Sequence, residues 1–373
     1  MDVNNRQRIV YADLLRIIAS SGVIFTHVAA FGWYTLPSYS YDWQIINMWH
    51  DMFRWVVPLF VMLSGMFTIK YYDLEQPLKT GVGKIIKRII HIYCALIFWT
   101  IFYNIFYPII LNYNIKEFLG NPKLFLNFNE IVRYPYNAIS GRSWHHLWFL
   151  YMIMGLYLLT PMAKIFVVNC KRNYFEYFLI IFFIVGACVP FYNLINSKMD
   201  VPFLPNKIYT LIPELSGYFG YYLAGYYFSE YKLPKKINYC IYILGILSAI
   251  FTILGTSFVS IKINALNQTL LQSMTPNTMI ETIAIFLFFK NQFENFNYSN
   301  IAYKIITHVS KCSFGIYLVH DFMIIFVKNY FGLNWNTYNP IISVPIIGVL
   351  VFLLSYIVIL FISRIPILKK YVI

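Results

Sequence analysis

Apolar runs long enough to cross a bilayer recur along this chain, and nothing else in it constrains the fold as strongly. The first reads Ile9 to Trp33, IVYADLLRIIASSGVIFTHVAAFGW. As a helix rising ~1.5 Å per residue it covers the ~30 Å of a hydrocarbon core. Inside lipid every backbone N–H and C=O must be satisfied by the protein itself, which leaves helices or closed barrels. A barrel needs short segments of strict alternation, and the chain has none. The 373 residues are 59% hydrophobic and 12% charged, with a mean hydropathy of +0.60. A soluble domain carries about twice that charged fraction. The expected class is all-α: a polytopic membrane protein forming one integral domain over residues 1–373.

Ten spans are expected, at about 9–33, 44–69, 85–111, 146–166, 174–192, 209–229, 237–257, 277–290, 301–327 and 339–362. With the N-terminus in the cytoplasm, 18 of the 29 Lys and Arg residues fall on the inner side and 8 on the outer, leaving Arg16, Arg54 and Lys311 within spans. Cytoplasmic loops are enriched in Lys and Arg, so this bias places both termini inside. The first run carries Arg16 and has no small-residue cleavage site, so it reads as a retained span of a multi-pass cytoplasmic-membrane protein. The net charge of +14 reads as this topology plus attraction to anionic lipid. No basic tail or base-stacking module accompanies it, so no nucleic-acid partner is expected. The five cysteines avoid the outer loops and show no metal-ligand spacing, so neither disulfides nor a metal is expected. The oligomeric state is left open. The longest connection, 112–145, is rich in Asn, Tyr and Phe; it suits either carbohydrate or an interfacial aromatic belt.

Ionisable groups inside the spans are the functional clue, because each costs at least ~2.5–3.5 kcal/mol at the bilayer centre and must face protein or a wet cavity. Arg16 and His27 are eleven residues apart, three turns and ~16 Å along one face. Asp13 and Ser20 share that stripe. In the second span Asp51 and Arg54 stand at i, i+3; they could neutralise each other, or Arg54 could hold an acyl carbonyl or a phosphate. Pro58 can kink that span. The fourth opens with Trp144-His145-His146-Leu-Trp148, interfacial by its simplest reading. In the ninth, Ser313, Tyr317 and His320 fall on one face at i, i+4 and i+7, as site lining or as glue between helices. The sixth carries Glu214, an intramembrane acid, and Gly217, Gly220 and Gly225, which read as close helix packing. By depth, His27, Arg54, His146 and Glu214 gather in the outer half, and Arg16 lies in the inner half.

A neutral imidazole can take a proton from a hydroxyl or accept an acyl group itself. Arg16, three turns deeper, is placed for an anion arriving from the cytoplasm, such as the phosphates of an acyl-coenzyme A. A hydroxyl arriving from outside meets His27 first. The polar stripe therefore suits acyl transfer across the membrane. A transporter or flippase for a glycan or lipid intermediate is the alternative, weakened by the lack of any internal repeat; a sensor or scaffold with a repurposed site is a third.

Five pieces in order resemble the acyltransferase 3 family of integral membrane O-acyltransferases over essentially the whole chain. They are Asp13-Leu-Leu-Arg16 with ten residues before His27; Arg54 with Pro58-Leu-Phe and Leu63-Ser64-Gly65; His146-Leu-Trp148-Phe-Leu; Gly220-Tyr-Tyr-Leu-Ala-Gly225; and Ser313-Phe-Gly315-Ile-Tyr317-Leu-Val-His320. The resemblance is closest to members that O-acetylate enterobacterial common antigen. It implies a ten-helix bundle, acetyl-coenzyme A as donor, and a surface or lipid-linked glycan as acceptor. It also implies His27 as the catalytic residue with Arg16 as its motif partner, and Arg54, His146, Tyr317 and His320 as site lining. Asp13, Trp148 and Glu214 complete the expected substrate-binding set. Some members carry a fused serine-hydrolase-like domain outside the membrane. None is seen in this sequence, so transfer is expected to finish within the membrane part.

Overall fold

The computed structural model describes residues 8–75, 81–111, 136, 138, 141, 143–199 and 217–373. Among these, the regular elements are helices and no strand occurs. In chain order they are α1 (Val10–Thr35), α2 (Tyr41–Asp51), α3 (Val56–Lys70), α4 (Val82–Leu111), α5 (Trp148–Leu158), α6 (Thr160–Asn169), α7 (Arg172–Phe183), α8 (Val189–Met199), α9 (Gly217–Glu230), α10 (Lys235–Lys262), α11 (Pro276–Phe293), α12 (Asn300–Phe331), α13 (Pro340–Ile362) and α14 (Pro366–Tyr371).

Seven of these stretches are long and apolar enough to cross a membrane: Val10–Thr35, Tyr41–Lys70, Val82–Tyr107, Arg172–Asn193, Lys235–Lys262, Asn300–Phe331 and Pro340–Ile362. The bent pair α5–α6 makes an eighth if it is one span. Of the remaining expected spans, 277–290 is present as α11, whose 18 residues include Glu281 and Lys290 and are less apolar than the seven. The span expected over 209–229 is described only from Gly217 onward, as α9.

The distribution of polar side chains is that of a membrane protein. On α10 the buried face carries Asn238, Gly245, Ser248, Thr252, Thr256 and Ser260. Its exposed face carries Ile243, Leu247, Phe251, Leu254 and Phe258. On α13 Ser343, Gly348 and Ser355 are buried among Val344, Ile347, Val351 and Ile359, and Ile346, Leu353 and Phe361 are exposed. Lipid tails are as apolar as leucine, so burial selects small and hydrogen-bonding groups there. Lys290 is a buried cation held by this logic. Its ammonium donates to the carbonyls of Phe228, Ser229 and Tyr231 at 2.6, 2.9 and 3.3 Å, capping the negative end of α9.

Proline divides what the sequence presents as continuous runs. The run over 44–69 breaks between α2 and α3, and Pro58 falls in the first turn of α3. Lacking an N–H, Pro58 cannot bond the carbonyl of Arg54. The expected kink is therefore a break that sets Met52 to Trp55 apart from both helices. Pro161 has the same place in α6, which is bent by 49° from α5.

Helix α1 is the centre of the bundle and packs against α2, α3, α11, α12 and α13. Alongside, α3 and α9 approach so closely that glycine is required on both. A Cβ at Gly65 would lie 1.8 Å from the carbonyl oxygen of Tyr222, and one at Gly225 would lie 1.9 Å from that of Met62. Gly220 abuts the Phe182 ring, whereas a Cβ at Gly217 meets nothing within 4 Å. The packing reading of these glycines holds for Gly220 and Gly225 and finds no support at Gly217. Gly225→Ala is expected to cost ~1–3 kcal/mol or more and to lower the melting temperature in detergent. Gly155→Ala, where a Cβ meets nothing within 4 Å, should be close to neutral in the same melt.

Candidate active site

Two cavities lie along α1. The first, about 450 Å³, opens beside Arg16 near the start of the helix. The second, about 430 Å³, holds His27 near its other end. The spacing that makes Arg16 and His27 share a helix face gives each its own chamber.

Asp13 organises the Arg16 end. Buried to 1% exposure, it accepts from Arg8 Nε at 2.5 Å, Arg16 Nη1 at 3.1 Å and Ser310 Oγ at 2.6 Å. An isolated carboxylate there would be costly, but two guanidinium groups and a hydroxyl satisfy it. The Arg16 guanidinium also lies 4.6 Å above the Phe67 ring, an attractive placement. Around it the cavity wall carries Lys87, Arg88 and His91 from α4, Ser64 from α3 and Ser313 from α12. Lys87 and His91 are i, i+4 on α4, so they project side by side. The sequence alone presents Lys87 and Arg88 as topology charges; the i, i+4 spacing of Lys87 and the i, i+3 spacing of Arg88 to His91 were the available signal. Among the described residues no acidic side chain lines this cavity, so the wall as a whole fits an anion.

The second cavity gathers His27, Arg54, His146, Trp148 and Tyr317, together with His145, Gln268 and Gln272. His320 stands behind it, its ring 5.0 Å from those of both His27 and His146. His320 Nδ1 lies 2.5 Å from the carbonyl of Tyr317. A carbonyl only accepts, so Nδ1 carries the proton and Nε2 keeps the lone pair. That Nε2 is buried without a partner, as are both ring nitrogens of His146. Three of the expected site histidines therefore converge, two of them with unsatisfied buried nitrogens, a departure from the usual rule of full satisfaction.

Arg54 reaches the same cavity by way of a buried relay. Its Nη2 contacts both ring nitrogens of His50, and His50 Nδ1 lies 2.8 Å from Asp51 Oδ1. The direct Asp51–Arg54 separation is 3.9 Å, so the i, i+3 pair is bridged by an imidazole that lies flat on Trp33 with ring centroids 4.6 Å apart. Arg54 Nε has no hydrogen-bond partner. His50 was visible in the sequence but had no role there.

Phe149 and Tyr317 are in the walls of both cavities. The Tyr317 hydroxyl donates to the carbonyl of His146, and its ring packs edge-on against Phe149 at 5.7 Å. On α12 the shared face of Ser313, Tyr317 and His320 runs from the first cavity, through the partition, to the histidines of the second. Glu214 lies outside the described residues. His27, His145 and Asp321 offer ligand atoms within 4.8 Å of one another, a grouping that sequence spacing does not reveal.

A helical membrane protein with an anion-fitting chamber and a histidine-lined chamber back to back is the class this geometry defines. The model of the acyltransferase 3 family, an acyltransferase domain, matches residues 9–360. The chain belongs to that family and is a membrane acyltransferase. Neither the curated proteins nor the solved structures contain a match to it.

Asp13→Ala would strand two guanidinium groups around an empty site. Breaking a buried ion pair costs about 3–5 kcal/mol, so a clear drop in melting temperature is expected. Asp13→Asn, which keeps the volume and an acceptor for Ser310, should lose less; an equal loss in both would show that charge alone carries the effect.

Proposed function

We propose that the protein is an O-acetyltransferase. It takes the acetyl group of acetyl-coenzyme A in the first cavity and passes it to a hydroxyl of a surface polysaccharide or lipid-linked glycan in the second. The observation that carries this reading is that the two cavities meet at Phe149 and Tyr317, one basic and one lined by histidines. With ten spans and both termini in the cytoplasm, Arg16, Lys87 and Arg88 face the compartment in which coenzyme A esters are made. The multi-pass chain sits in the cytoplasmic membrane, and the second cavity faces outward. Trp148, 45% exposed, and Gln268 and Gln272 at that cavity suit a sugar, since a ring face covers its apolar side and amides bond its hydroxyls. Its resemblance to the members that O-acetylate enterobacterial common antigen supports the same acceptor class.

In this mechanism the diphosphate of the donor lies against the basic wall, which fits forked and point-charge donors. The thioester extends past Tyr317 toward His27. The His27 lone pair takes the proton of the acceptor hydroxyl, and the oxygen attacks the thioester carbonyl. Arg54, aimed by His50 and Asp51, supplies hydrogen bonds to the tetrahedral oxyanion. The C–S bond then breaks, and the thiolate leaves with the proton held by His27. Acetyl capture by His27 itself is the second form of the same step.

His27→Ala is expected to remove ester-linked acetyl groups from the cell's surface glycans while the folded protein persists in the membrane. Retained acetylation would contradict the assignment. Lys87→Ala and Arg88→Ala should raise KM for the coenzyme A ester by about tenfold each, one charge-assisted contact of ~1.4 kcal/mol, with little change in KM for the acceptor.

A further inference from the structure

Beside the pathway proposed above, two side chains that acyl transfer does not use, His145 and Asp321, stand next to His27. His145 opens the short 3₁₀ turn before α5, and Asp321 lies in α12 next to His320. With His27 they present one carboxylate oxygen and two imidazole nitrogens, all within 4.8 Å of one another. The cluster is not held together by its own hydrogen bonds, since His145 Nε2 and Asp321 Oδ1 are 3.8 Å apart, beyond bonding range. Asp321 is 3% exposed, and its other oxygen accepts from Trp144 Nε1 at 2.6 Å. That is the outer-shell support that fixes a ligating carboxylate. Next to the group is His320 Nε2, fully buried, deprotonated by the tautomer derived above, and without a partner.

We infer that His27, His145 and Asp321 form a binding site for a Zn²⁺-class divalent ion, and that occupancy switches the transferase off. The donor set chooses the ion. Two imidazoles and a carboxylate suit Zn²⁺, which is bound at ~2.0–2.2 Å by such groups and imposes no rigid geometry. Mg²⁺ and Ca²⁺ prefer all-oxygen shells. Two neighbouring ligands of a tetrahedral ion stand ~3.3 Å apart at those bond lengths. His145 is the ligand able to close the difference, its side chain 58% exposed at the cavity into which the ion would enter. His320 Nε2 stands where a fourth ligand can be recruited.

The inhibitory consequence rests on the reading of His27 as the reacting group. A neutral imidazole has one basic lone pair. Whichever ring nitrogen binds the ion, the other carries the proton, so a metal-bound His27 can neither take a proton from a hydroxyl nor accept an acetyl group. No bond to substrate and no redox change is involved.

The test uses the full chain in detergent, stripped with a chelator and titrated calorimetrically with Zn²⁺ alone. One ion per chain is expected. His145→Ala changes a side chain that is more than half exposed, and Asp321→Asn keeps volume and an acceptor for Trp144. Each should weaken Zn²⁺ binding by more than ~100-fold, beyond the 10–100-fold that outer-shell changes cost. Trp144→Phe should fall within that smaller range. Equal Zn²⁺ affinity in wild type and in a protein carrying both His145→Ala and Asp321→Asn would overturn the site. In an acetyl-transfer assay, Zn²⁺ should abolish turnover with a midpoint at the calorimetric constant, reversed by chelator. Full activity at saturating Zn²⁺ would overturn the switch. A chain that binds Zn²⁺ as described yet transfers no acetyl group even when metal-free would confirm the site while removing the acyl-transfer reading.

Discussion

The cost of placing charge in hydrocarbon governs this structure, and Asp13 is where that cost is met. Arg16 can stand inside a span because Asp13 joins it to Arg8 and Ser310. Those bonds tie the start of α1 to α12, whose Tyr317 is in the walls of both cavities. From this junction the polar face of α1 continues to His27, and α12 runs beside it from Ser313 to His320. Neither face could be solvated by lipid. Each is covered by the other and by α3, α4 and α5, and the space left between them is the pair of cavities. The lipid-facing surface of α10 shows the same rule in reverse, with apolar side chains outside and hydroxyls within.

The two cavities divide the chemistry by charge. Arg16, Lys87 and Arg88 make one chamber cationic: Asp13 offsets Arg16 from behind, and among the described residues no carboxylate lies in the wall itself. The other chamber holds imidazoles and the Arg54 guanidinium, which is oriented through His50 by Asp51. A group transferred between them must pass Phe149 and Tyr317. Because Tyr317 is hydrogen-bonded to the backbone of His146, the partition and the histidine site share one support. A change in either is therefore felt by both.

Much of this was legible in the sequence. Periodicity put Arg16 and His27 on one face, and Ser313, Tyr317 and His320 on another, and both faces are found lining cavities. Depth grouped His27, Arg54 and His146, which line one cavity, with Glu214, which lies outside the described residues. Breaks were harder to read: hydropathy sees 44–69 as one run, and only the missing N–H of Pro58 splits it. Lys87 and Arg88 were read as a topology signal because a cation at a span's cytoplasmic end serves that role by default. His145 and Asp321 come from segments 176 positions apart, and no local pattern announces that they meet at His27. The count of ten spans depends in part on residues 209–216, outside the described region, and on α11, where Glu281 and Lys290 dilute the apolar signal.

The central claim is that donor and acceptor occupy opposite sides of the membrane and meet at the Tyr317 partition. Sealed membrane vesicles of known orientation test it most directly. Radiolabelled acetyl-coenzyme A would be supplied either to the face bearing the N-terminus or to the opposite face, with glycan acceptor present on both. The account predicts labelled acetyl ester only when donor is on the N-terminal face, appearing on the glycan of the opposite face. Label incorporated from donor on the His27 side, or onto acceptor on the donor's own side, would contradict it.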